Sequence, residues 1–228
     1  VRKRTLKQKA SLILRATGLP HGNLLDMGSG VGAFVREMSD RGWKVTGLEP
    51  DPLARNAAMK FFHSELRDVN TFYQLEAANF DAITLWHVLE HVHELHAYMD
   101  QLKNLLSASG KIFIAVPNYT SADARKYKEY WAAYDVPRHL YHFSPLSMKL
   151  LVEKHGLVLK ETLPMWFDSY YISLLSSKYK NGKTNWPGAM LAGWKSNRKA
   201  KEDATKCSSL IYVIEKSPAG KNFTESLS

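Results

Sequence analysis

Three glycines at alternating positions, Gly28-x-Gly30-x-Gly32, follow the short run Leu24-Leu25-Asp26-Met27. Glycine admits positive φ and lets a ligand approach the backbone with no Cβ in the way. A dinucleotide loop takes G-x-G-x-x-G, which sets a helix N-terminus against a pyrophosphate. The spacing here differs, and an acid at Asp26 would repel a diphosphate while suiting a cationic amine. Further along stands Glu49, placed where a carboxylate can accept bonds from both hydroxyls of a ribose. Together these residues ask for an adenosine-like ligand with a ribose and a positive aminoacyl end, and S-adenosylmethionine has those parts.

A second group is rich in histidine: His87-Val88-Leu89-Glu90-His91, then His93 and His96. His87 to His91 formally matches the H-x-x-E-H of zinc peptidases. The motif begins at a strand end, however, so its two imidazoles need not share a helix face, and no residue is assigned here as a metal ligand. Histidine has the right ordinary pKa for a general base. The candidates are His87, His91 and His139, with Arg138 orienting an acidic or carbonyl group through its planar guanidinium. His139 could instead bond its own loop, and Arg138 could pair with Asp135.

Short apolar strands alternating with helical stretches must position these groups. Residues 4–17 predict an amphipathic helix with Leu6, Ala10, Ile13 and Leu14 on one face, stopped by Gly18-Leu19-Pro20. Strands are expected at Asn23–Met27, Trp43–Leu48, Phe61–Leu66, Asp81–Trp86 and Lys111–Val116, and helices at 32–41, 52–60 and 93–107. The last helix should end near Gly110 in a left-handed cap. Such alternation implies an α/β, doubly wound, mostly parallel sheet that binds ligands outside the carboxyl ends of its strands. Those ends are Met27–Gly32, Leu48–Asp51, Leu66–Asp68, Trp86–His91 and Pro117–Asn118. Beyond them come a polar, aromatic connection over 119–143, a helix from Ser144-Pro145 to Gly156, a strand over 157–165 and a basic, partly helical stretch over 168–206. A last strand at 208–215 and a disordered tail from Ser217 complete one expected domain. Its parts are a helix over 1–18, a cofactor half over 20–118, a substrate-side half over 119–216 and the tail.

Composition narrows the class. The chain has 228 residues, 45% of them hydrophobic and 23% charged, which argues against disorder or a fibrous repeat. No apolar run has the length needed to span a membrane, and Ser11–Leu14, cut off by Arg15, is too short for a secretion signal. The single cysteine, Cys207, rules out an internal disulfide and fits a reducing cytoplasm. The chain opens on Val1 rather than Met, so an upstream segment is expected to have been trimmed. A net charge of +9 could hint at nucleic acid. It is concentrated in residues 1–9 and 178–206, with a nearly neutral centre, and no zinc-finger spacing or aromatic RNA-binding signature accompanies it. Solvated basic faces are the simpler reading.

The motifs in order resemble a known family. Asp26-x-Gly28-x-Gly30-x-Gly32, then Gly47-Leu48-Glu49-Pro50-Asp51, then Phe80-Asp81-Ala82-Ile83 and His87-Val88-Leu89-Glu90-His91-Val92, are similar to the class I S-adenosylmethionine-dependent methyltransferases. The last motif and Val136-Pro137-Arg138-His139-Leu140 resemble the branch that includes the ubiquinone-biosynthesis O-methyltransferases. The resemblance covers roughly residues 20–165. It implies a seven-stranded Rossmann-like sheet with insertions on the substrate side. Asp26 and the Gly28-Ser29-Gly30 backbone, leading into Gly32, would hold the methionine end of S-adenosyl-L-methionine. Glu49 would take the ribose, Pro50 would lie beside the adenine, and Glu65-Leu66 would meet the adenine edge, although Ser64-Glu65 replaces the commoner Gly-Asp pair. Trp86 and His87 would flank the methionine moiety. Some members of the branch are metal-assisted, which would give Glu90 and His91 a metal through which to align substrate oxygens.

The acceptor is expected to be a small molecule, methylated at oxygen by analogy with that branch. Residues 119–194 hold 14 of the 26 aromatics, Tyr130, Trp131, Tyr134, Tyr141, Trp166, Phe167, Tyr170 and Tyr171 among them. They could roof an apolar acceptor site at 125–143 and 166–186, or pack an inserted helical layer against the sheet. The alternatives are methylation of RNA or another macromolecule, and a non-catalytic nucleotide-binding module. Oligomeric state is left open.

Overall fold

The structure is a computed structural model and describes residues 2–166, 168–182, 198 and 203–218. Seven strands form one sheet: β1 (Asn23–Met27), β2 (Lys44–Leu48), β3 (Leu66–Arg67), β4 (Phe80–Trp86), β5 (Leu106–Pro117), β6 (Leu157–Pro164) and β7 (Ser209–Lys216). Their order across the sheet is β3-β2-β1-β4-β5-β7-β6. The β1–β2, β1–β4, β2–β3 and β4–β5 pairs are parallel, and β7 runs antiparallel between β5 and β6. The doubly wound, mostly parallel expectation holds. Strand order reverses between β1 and β4, so the crevice beyond their carboxyl ends is where a ligand binds in such a sheet. Register puts Asp26 opposite Thr84 and Met27 opposite Leu85, so both chains leave the sheet at the same level.

The central strands are apolar on both faces because helices cover both. On one face Leu25, Ile83, Leu85, Ile112 and Ile114 pack beneath α4 (Leu95–Leu105) and α6 (Pro145–Lys154). On the other, Leu24, Ala82, Phe113 and Val213 meet Ala10 and Ile13 of α1 (Arg2–Thr17) and Phe34 and Met38 of α2 (Ala33–Ser39). α6 begins at a capping box in which Ser144 and Ser147 bond each other's backbone, with Pro145 in the first turn. Gly156, at φ 65°, follows it.

Two expectations need correction. Phe61 and Phe62 do not begin a strand. Asp51 caps and Pro52 opens α3 (Pro52–Phe62), whose helix carries them along to a left-handed cap at His63, and β3 is left as an edge strand of 2 residues. Nor is Gly110 a helix cap. α4 passes directly into β5 at Leu106, and Gly110 lies inside that strand, where a Cβ would stand 2.7 Å from the Phe80 carbonyl oxygen. The glycine serves a close approach of two backbones. The basic stretch contributes α7 (Asp168–Asn181), and most of the remainder, with Phe167 and the tail from 219, lies outside the described residues. Trp131 is a core residue of the inserted layer, which also contains α5 (Ala122–Tyr127). It packs with Tyr127 and Ile172, and its indole N–H donates to Asp123 at 2.9 Å.

Candidate functional site

On the β1 side of the crevice the chain turns through three left-handed glycines. A Cβ on Gly28 would stand 2.6 Å from Val88, and one on Gly32 2.9 Å from Ala58, whereas the space beside Gly30 is open. The Gly30 N–H donates to Glu49 Oε2 at 2.7 Å, and the Asp51 N–H to Oε1 at 3.0 Å. One buried carboxylate thus braces both loops, and each oxygen keeps a second lone pair for a ligand hydroxyl. Asp26 is buried and accepts a 2.7 Å bond from the Thr84 hydroxyl. Burial pushes its carboxyl up to about 6, against the opposing pull of Thr84, Ser29 and Lys9. Ser29 bonds the Asp26 carbonyl through its hydroxyl and the Leu48 carbonyl through its N–H.

Pro50 is exposed at the end of β2, and its carbonyl accepts from Arg55, which also bonds the Glu49 carbonyl and pairs with Asp68 at 3.1 Å. Glu65 is exposed, whereas the Leu66 side chain packs beside Gly47, where Ser29 Oγ of the glycine loop also comes. Glu65 lines a shallow recess with Arg36 and His63, and Leu66 is packed with Val35 and Ala58. Because β3 ends at Arg67, the residue beyond its carboxyl end is Asp68, inside the Leu66–Asp68 stretch that strand topology singled out.

On the β4 side Trp86 ends the strand, edge-on to Phe34 at 5.6 Å. His87 follows at φ 59°, a conformation uncommon outside glycine. Its Nε2 lies 2.7 Å from Asp168 of α7, and its Nδ1 lies 3.2 Å from Glu90. Burial alone would lower this imidazole, yet the charge and hydrogen bond of Asp168, followed by those of Glu90, raise it to about 10. Both ring nitrogens of His87 thus face carboxylates that favour the imidazolium, an arrangement that suits a structural tie better than the base role expected from its place in the motif. His87 ties the end of β4 to α7.

Behind it opens a cavity of about 500 Å³, lined by Glu90, Arg138, His139 and the α7 residues Tyr171 and Leu175. His91 Nδ1 lies 2.9 Å from the Arg138 carbonyl, and His139 Nδ1 lies 2.9 Å from that of Ala133. Only an N–H can answer a carbonyl, so both rings carry a proton on Nδ1, and neither Nε2 is bonded to backbone. The rings meet edge to face at 4.8 Å. Burial lowers the His139 pKa, which keeps that ring neutral. Glu90 is 1% exposed, and its Oε2 has no hydrogen-bond partner among the described residues. Ligand atoms of Glu90, His91 and His139 all lie within 4.8 Å of one another, a set that could hold a divalent cation. Arg138 stands at the rim, 74% exposed, paired with Asp135 at 3.4 Å.

Asp168, Lys9, Thr84 and Asp68 carry no motif signal. Asp168 is 81 residues from the histidine it holds, and only the sheet order unites them.

This crevice can be set beside known proteins. A family model described as a methyltransferase domain matches residues 1–162. The chain belongs to that family. A ubiquinone biosynthesis O-methyltransferase of Glaesserella parasuis is 32% identical over 120 residues, 47% of this chain and 50% of that protein. The chain spans about half the length of the curated relatives it matches. Among solved structures, a 1,6-didemethyltoxoflavin N1-methyltransferase of Burkholderia thailandensis with bound S-adenosylhomocysteine superposes at a TM-score of 0.58. It is 15% identical, and the match covers 94% of this chain and 79% of that one. A phosphoethanolamine N-methyltransferase of Haemonchus contortus in complex with S-adenosyl-L-methionine gives 0.60 at 19% identity, covering 92% and 53%. The fold is that of the class I S-adenosylmethionine-dependent methyltransferases.

Proposed function

We propose that this methyltransferase domain binds S-adenosylmethionine at the β1–β4 crevice and methylates an oxygen of a small molecule held in the cavity beneath α7. The cofactor fits the residues present. The open left-handed Gly30 admits close approach, Glu49 has lone pairs for two ribose hydroxyls, and buried Asp26 suits a cationic amine. When bound, S-adenosylmethionine supplies a methyl group already activated on a sulfonium, so the protein's work is alignment and, for a hydroxyl acceptor, removal of a proton. The observation that carries the oxygen reading is His139 at the cavity, its Nδ1 bonded to the Ala133 carbonyl, its Nε2 free of a backbone bond and its pKa lowered by burial, with His91 edge-on beside it.

His139 serves as the base. Its Nε2 would accept the proton of the acceptor hydroxyl, and the resulting imidazolium would be steadied by Asp135, 3.9 Å away. His91 keeps the neighbouring wall polar, and Arg138 at the rim receives an acidic or carbonyl group of the acceptor. The relatives named as ubiquinone biosynthesis O-methyltransferases support a small-molecule acceptor methylated at oxygen. The test is a methyl-transfer screen with phenols, catechols and aliphatic amines, following S-adenosylhomocysteine release. Turnover confined to hydroxyl acceptors supports the reading, and turnover confined to amines contradicts it.

A further inference from the structure

Away from the crevice, three titratable side chains join α4 to α6, the two helices over the Ile83 and Leu85 face of the sheet. His155, at the C-terminal cap of α6, is buried, although its ring is polar. Its Nδ1 lies 2.5 Å from Asp100 Oδ1, and its Nε2 lies 2.9 Å from Nδ1 of His96, both partners belonging to α4. The two imidazoles stack with their centroids 5.2 Å apart and 28° between their planes. A carboxylate only accepts, so His155 carries a proton on Nδ1. Two N–H groups cannot face each other at hydrogen-bond distance, so a single proton lies between His155 Nε2 and His96 Nδ1.

Exchanging that one proton for a cation would give each ring a ligand lone pair, the proton leaving to water or moving to His96 Nε2. His155 is already prepared for this. A carboxylate on the far nitrogen is what fixes the tautomer and orientation of a metal-bound imidazole and raises its basicity. A tetrahedral ion with 2.0–2.1 Å bonds holds its nitrogens about 3.3 Å apart, so the pair need open by only about 0.4 Å from its present 2.9 Å. His96 is exposed and can make that adjustment. Two imidazoles suit zinc, copper or nickel, whereas magnesium and calcium ask for oxygen ligands. We propose that His96 and His155 form a clip for a late first-row divalent cation, with Asp100 orienting His155 and water completing the coordination. The clip is separate from Glu90, His91 and His139 and does not rest on the cofactor reading. It would join the helices that follow the cavity histidines, since α4 starts at Leu95 just after His91 and α6 at Pro145 just after His139.

The experiment is calorimetric titration of Zn²⁺ into the metal-free full chain and into His96→Ala, Asp100→Asn and His91→Ala, with thermal unfolding of each. His96 is exposed, so its removal should leave the zinc-free melting temperature unchanged. The expected result is saturable binding in the micromolar range that raises the melting temperature of the parent. His96→Ala should lose that binding, Asp100→Asn should weaken it by about 10- to 100-fold, and His91→Ala should keep it. One equivalent of Cu²⁺ should show spin coupling to two imidazole nitrogens in the parent and to one in His96→Ala. No saturable zinc binding below millimolar, or unchanged affinity in either His96→Ala or Asp100→Asn, overturns the proposal. So does binding that His91→Ala removes and His96→Ala spares, which would place the ion among the cavity histidines and leave the pair a hydrogen-bonded tie.

Discussion

Two histidines within one crevice end in opposite charge states, and their partners explain why. His87 lies between two carboxylates and is held as a cation, whereas His139 bonds a backbone carbonyl and stays neutral. A folded pKa near 10, above the ordinary histidine value, means that the His87 tie is complete below about pH 6.5 and is lost as pH rises through about 10. Thermal unfolding should therefore show the melting temperature falling between pH 7 and pH 10, and Asp168→Asn should flatten that slope. Asp26 behaves in the other sense. Its raised carboxyl is neutral below about pH 6, so affinity for S-adenosylmethionine should rise as pH passes through 6, and Asp26→Asn should abolish that rise. For catalysis, His139→Ala should lower kcat by about 10²- to 10⁴-fold with cofactor affinity unchanged, as removal of a general base does. An unchanged kcat would remove His139 from the reaction. Asp26, Glu49 and the three glycines were legible because their spacing is local. Asp168 and Lys9 were not, because nothing in the sequence near either one names its partner.

At the level of elements, α7 forms one wall of the cavity and is held at two points. Asp168 meets His87, while Ile172 packs with Trp131 and Ser176 accepts the Ala132 N–H. Trp131→Ala should cost about 3–5 kcal/mol, the range for a buried large aromatic, with an added penalty because Asp123 loses its indole donor. Denaturant unfolding measures the cost. Because the same cluster shapes the cavity, kcat/KM should fall more than cofactor affinity does. Periodicity gave most elements to within two residues. It failed at β3, where an aromatic pair that looks strand-like finishes a well-capped helix, and at Gly110, where a glycine suits a close backbone approach as well as a cap. The aromatic stretch over 119–194 was ambiguous for a related reason. Composition cannot separate a pocket wall from a packed layer, and here Trp131 is packed while Tyr171 is exposed at the cavity.

At the scale of the molecule, the reversal of strand order between β1 and β4 brings the glycine loop beside the His87–His91 turn, and one crevice can then serve both reactants. The alternation of strands and helices made that topology legible, and three ordered motifs made the family legible. Among the described residues no helix is long and apolar enough to cross a membrane. The central claim is that this crevice holds S-adenosylmethionine through Asp26, Gly30 and Glu49. Calorimetric titration with S-adenosylmethionine and S-adenosylhomocysteine tests it most directly, with NAD as a control ligand and Glu49→Ala and Glu49→Gln as variants. We expect saturable binding of both sulfur ligands, none of NAD, and about 10-fold or greater weakening in each variant. A cooperatively folded sample that binds neither ligand, or binds them equally well without the Glu49 carboxylate, would contradict the account.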